Sequence, residues 1–136
     1  MINDIVNKYY LITSSLGKTL GEIFFYLHVK IYAIFSVIIN IALWFGAHTI
    51  VSLAGEDQIA LHYNVDAGID YYGQASGVYV LPLLGLTIFL VNFLLFWAVA
   101  RSKDRKFISH LLLSNALVAN VILSVALYSN YLVNFH

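Results

Sequence analysis

Two groups of residues in this chain have types and spacings that could do chemistry. The first lies in the run LHYNVDAGID, residues 61–70, where His62, Asn64, Asp66 and Asp70 crowd into a sequence that is 61% hydrophobic and 10% charged. An imidazole beside carboxylates is a ligand set suited to zinc or manganese, and Asp66 with Asp70 could divide the roles of general acid and base. The spacing matches no established metal motif, and no nucleophile accompanies the carboxylates. These residues are therefore expected to build a structural loop, with no metal, no cofactor and no catalysis.

The second group sits inside long apolar stretches: Asn40, His48, Asn92, Asn115, Asn120 and Ser124. A carboxamide in lipid leaves donor and acceptor unsatisfied unless another helix supplies them. A proton or ion path usually adds a carboxylate or fixed charge, and these stretches hold none, so the expected role is contact between helices. Counted at 1.5 Å per residue from the basic ends, Asn40, Asn92 and Asn115 fall in one layer roughly 13 Å deep, expected to be a hydrogen-bonded contact. His48, Gly85 and Ser124 form a second layer. Ser36, Asn40, Trp44 and His48 follow at intervals of four, and Gly85 and Asn92 are seven apart, so each of these helices should turn one polar or small face inward. On the remaining helix Asn120 and Ser124 share a face, while Asn115 points about 140° away. That second face predicts a further partner, either a second copy or another membrane subunit. His28 and His110 lie at matching depth and could in principle supply haem ligands; both are set among basic residues near water, and no haem is expected.

The elements that must position these residues are three spans, 31–53, 78–100 and 107–131, each near or above the twenty apolar residues a bilayer requires and free of Asp, Glu, Lys and Arg. Lys8, Lys18 and Lys30 precede the first span, and Arg101, Lys103, Arg105 and Lys106 separate the second from the third. Residues 54–77 contain no basic residue but carry Glu56, Asp57, Asp66 and Asp70. Basic segments stay on the side of insertion, which predicts a cytoplasmic N-terminus, an outer loop and an external C-terminus. Aromatic residues agree: Tyr71, Tyr72, Tyr79, Tyr128 and Tyr131 gather at the outer edge, and Tyr26, Tyr32 and Trp97 at the inner one.

Ahead of the first span, Ile2, Ile5, Val6, Tyr9, Ile12, Leu16, Leu20, Ile23 and Leu27 recur every three or four positions, an amphipathic helix over 1–29 that would lie in the headgroup layer. Gly17 and Gly21 are expected to break it. The first thirty residues lack the short apolar core of a cleaved signal peptide and should be retained. In the loop, Ile59, Leu61, Tyr63 and Val65 alternate with Ala60, His62, Asn64 and Asp66. A turn at Ala67 and Gly68 follows, then Ile69 and Tyr71, so the pattern predicts a hairpin with His62, Asn64 and Asp66 on its outward face. Gly73 is expected to allow a second turn, and Pro82 falls in the first turns of the second span, where its missing donor costs least. Cysteine is absent and the formal net charge is zero, which removes disulfides and thiolate sites and gives no reason to expect nucleic acid.

The stretches Leu61-His62-Tyr63-Asn64, Gly68-Ile69-Asp70 and Gly73, followed by Leu81-Pro82, resemble the histidine, asparagine, glycine and aspartate loop of a bacterial membrane domain found ahead of SdpI-type toxin-immunity regions. The similarity covers residues 31–100 and extends to small three-helix membrane proteins of candidate-phylum bacteria. That family usually places proline two residues before the histidine, where this chain has Ala60, and no SdpI-type second half follows. The resemblance implies a bacterial cytoplasmic membrane and leaves the activity open.

The expected architecture is thus an all-α integral membrane protein of one domain: an N-terminal amphipathic helix, three transmembrane helices, a small outer β-hairpin loop over 54–77 and a cytoplasmic loop at 101–106. The expected function is that of a non-catalytic membrane subunit or accessory protein binding a protein or peptide partner, immunity-like or envelope-sensing. The alternative is a membrane enzyme or transport component using His62, Asp66 and Asp70, or His48.

Overall fold

The computed structural model describes residues 2–23, 26–64, 66, 68–99 and 102–136. Helix α1 (Ile2–Ile23) runs through Gly17 and Gly21 without interruption, against the expected break. Each glycine costs a helix about 1 kcal/mol relative to alanine, and that is too little to end a regular amphipathic pattern. Its apolar residues Ile5 and Tyr9 are exposed, as suits a face made to lie on lipid. The helix ends at Ile23, short of the expected residue 29, because Leu27 already starts the next one.

Helices α2 (Leu27–Ala54), α3 (Val80–Val99, entered through a 3-10 turn at Ala75–Tyr79) and α4 (Arg105–Phe135) are each long and apolar enough to cross a membrane. Continuous helix is what lipid demands, since every backbone N–H and C=O must find its partner inside the segment. α2 and α4 overrun the charge-free windows at their basic ends, because Lys30, Arg105 and Lys106 are good helix formers and stop nothing. α4 packs against both α2 and α3. One buried apolar cluster lies toward the hairpin, with Leu43, Ala47, Ile50, Val78 and Leu127. The other lies toward the basic end, with Val29, Phe96 and Leu113.

Strands β1 (Gln58–Asn64) and β2 (Gly68–Gln74) form the antiparallel hairpin between α2 and α3. Gly55 ends α2 at φ +60°, and Gly68 opens β2 at φ +77°, a backbone that L side chains rarely adopt. Val65 and Ala67 lie outside the described residues. Strict alternation fails at Leu61, where the pairing slips between Ala60 and His62. Ala60, which alternates with Ile59 along the strand, is 3% exposed, like its neighbour at 5%. The pairing slips back between His62 and Tyr63, so the irregularity is local to these residues and re-aims the side chains around it. The freed Leu61 lies over Gly73 and Gly77, where an added Cβ would meet its Cδ1 at 2.7 Å. Gly73 therefore allows close approach and not the expected second turn, and its φ is not positive.

Candidate functional site: two asparagine joints

Between the two apolar clusters sits a polar joint built by all three long helices. Asn40 of α2 donates through Nδ2 to the Pro82 carbonyl of α3 at 3.0 Å and to Oδ1 of Asn120 of α4 at 3.1 Å. Asn120 in turn donates to Ala116 O at 2.9 Å and, at 3.5 Å, to Gly85 O of α3. Asn120 is fully buried, and Asn40 nearly so. Gly85 makes the joint possible: a Cβ there would lie 2.5 Å from Asn120 Oδ1 and 2.7 Å from Asn40 Nδ2. An amide left unpaired in an apolar medium costs several kcal/mol, so two amides bonded to one another and to three helix carbonyls fix how these helices align.

The pairing differs from the expected layer of Asn40, Asn92 and Asn115. The charge-free windows start later than α2 and α4 themselves, which displaces depths counted from them. Counted from Leu27, Val99 and Arg105, the residues thirteen to fifteen positions in are Asn40, Gly85 and Asn120, and these meet. Asn92 is buried but bonds to Ile88 O of its own helix at 2.8 Å. Asn115 is exposed, and among the described residues its side chain has no hydrogen-bond partner. Ser124 donates to Asn120 O at 2.8 Å. On α2 the inward stripe holds for Ser36 and Asn40 and then fails, Trp44 and His48 being exposed. A step of four residues turns about 400°, so three steps rotate the stripe about 120° out of the bundle. His48 Nδ1 instead lies 3.3 Å from the Tyr79 hydroxyl, with Trp44 packed on the same ring at 5.7 Å. Ser36 Oγ is buried with no partner among the described residues.

A second joint holds the hairpin. Asn134 near the end of α4 accepts from Ala60 N–H through Oδ1 at 2.7 Å and donates through Nδ2 to Ala60 O at 2.9 Å; Asn130 donates to the same oxygen at 3.0 Å. Ala60 is buried beside the slip in pairing, where its backbone groups need partners, and one carboxamide supplies both donor and acceptor as a neighbouring strand would. Sequence reasoning missed this pair. The available signal was two asparagines four apart, on one face of a helix end.

His62 is exposed and pairs with Tyr71 across the hairpin; Asp66 is exposed at the turn; Asn64 pairs with Gly68. The side chains of Asn64 and Asp70 lie outside the described ones. Among the described residues no three His, Asp or Glu side chains could hold one metal ion. At the basic end the His28 and His110 rings meet edge to face at 5.4 Å, with Tyr32 against His110 at 5.2 Å, an aromatic cluster beside Lys106. Comparison with protein-family models, curated proteins and solved structures gives no match to this chain.

Proposed function

We propose that this chain is a non-catalytic subunit or accessory protein of a bacterial cytoplasmic membrane, N-terminus inside and hairpin outside, that engages a protein or peptide partner through the hairpin. The observation that carries the reading is a fastened hairpin that exposes a tyrosine on each of its two faces. Tyr71 and Tyr72 are 59% and 57% exposed on a strand whose partner strand is clamped by Asn130 and Asn134 and wedged by Leu61. Tyrosine on a preorganised support is a common anchor of protein interfaces, because its large contact area is gained at small entropic cost. The distribution of basic residues supports the orientation; toxin immunity or envelope sensing would be instances of such a role.

The test is native mass spectrometry of protein solubilised gently from its own membrane, beside a Tyr71→Ala/Tyr72→Ala variant. The expected result is a stoichiometric second protein whose retention falls about tenfold or more in the variant, as for an interface anchor. Retention unchanged by the variant would defeat the proposal. Tightly bound metal lost with His62→Ala would favour the enzyme or transport alternative instead.

A further inference from the structure

Asn115 poses a problem that the chain alone leaves unsolved. It lies well inside a candidate span, is exposed, and has no side-chain partner among the described residues. It does not stand alone on its face. Leu111, Asn115, Val118, Ile122, Val125 and Ser129 follow at alternating intervals of four and three, and all six are exposed. That is the seam of a heptad repeat, with Asn115, Ile122 and Ser129 at one core position and Leu111, Val118 and Val125 at the other. The residues of α4 buried in the bundle, Ser109, Leu113, Ala116, Asn120 and Leu127, lie on the opposite side of the helix at about 100° per residue. The seam therefore points away from α2 and α3 and is open along a rise of about 27 Å, close to the thickness of a bilayer core.

We propose that this seam is the contact between two copies of the chain, with α4 packed in parallel against α4 of the second copy. Insertion gives every copy the same direction across the membrane, so two α4 helices can meet only in parallel. Leu, Val and Ile facing lipid need no cover, since association gains them little there; the asparagine is what requires a partner. A carboxamide is both donor and acceptor, and across a twofold axis Asn115 of each copy bonds Asn115 of the other. This is the self-complementary arrangement in which a single core asparagine sets register and two-strandedness. The seam carries no charge that would repel an identical face or select a different one. Ala119 and Ala126 on its flank let the backbones come close. The inference rests on α4 crossing the membrane and is independent of what the hairpin binds.

The chain contains no cysteine, so single cysteines along α4 report contact directly. They would be introduced at Val118, Ile122 and Val125, with Val121 and Leu94 as exposed positions off the seam, and oxidised in native membranes. Cross-linked homodimer should peak at the three seam positions and fall at least several-fold at the other two. In the Ile122→Cys background, Asn115→Leu should reduce the dimer about three- to twenty-fold, the range of interhelical polar contacts in membranes, and Asn115→Gln should restore part of it. Thermal stability of the detergent-solubilised Asn115→Leu monomer should stay unchanged, which separates lost association from lost folding. Equal yields on and off the seam, no dimer, a yield indifferent to Asn115→Leu, or adducts with a different protein would each overturn the proposal. Loss of the hairpin's partner with the cross-links intact would count against the proposed function alone.

Discussion

The two asparagine joints use the same side chain for opposite tasks. At the centre of the bundle, Asn40 and Asn120 bond to one another and to Pro82, Gly85 and Ala116 carbonyls, groups that already belong to helices. The amides there solve a problem of their own making, and the gain is alignment among three helices that lipid does not push together. At the hairpin, Asn130 and Asn134 serve Ala60, whose N–H and C=O sit where the strand pairing slips. Here the amides solve a problem made by the backbone. The lesson is that a central asparagine acts through fit between helices, whereas an asparagine at a helix end can act as a substitute strand.

Substitutions can break or sharpen this contrast. The largest effect is expected for Gly85→Ala, which drives a methyl into both central amides. Overpacking at such a site should cost about 3 kcal/mol, read as a lower unfolding midpoint in detergent; unchanged stability would show that the amides have slack. Next comes Asn120→Leu, which strips Asn40 of one of its two acceptors and should cost about 1 to 2 kcal/mol. Asn92→Leu is the comparison, since its amide bonds only within α3, and it should cost less than about 0.5 kcal/mol. Equal losses from the two would erase the distinction between a joint and a self-satisfied amide. The smallest global effect belongs to Asn134→Ala, about 1 kcal/mol or less. Its signature is local: hydrogen exchange of the hairpin should quicken about fivefold while α2 and α3 stay protected.

The sequence was informative where a single periodicity governs the outcome. Charge-free runs marked the three long helices, Gly68 marked the turn, and Asn120 and Asn115 were correctly set on opposite faces of α4 by counting alone. It was less informative where two elements must be in register. The partner of Asn40 depended on where α2 and α4 start, and those starts lie among Lys30, Arg105 and Lys106, outside the hydrophobic windows. The alternation of the hairpin was not legible at Ala60 and Leu61, because Leu61 lies over Gly73 and Gly77, residues twelve and sixteen positions away. The burial of Ala60 in turn depended on Asn130 and Asn134, a contact that no local pattern encodes.

The clamp on Ala60 also carries an order of events. Its two asparagines lie 70 and 74 positions further along the chain. At 5 to 20 residues per second of synthesis they follow Ala60 by about 4 to 15 s. Throughout that interval the hairpin lacks its fastening. Closure of the loop is therefore a late step that reports the arrival of α4, and a nascent chain stalled before Asn130 would present a hairpin that is made but not yet locked.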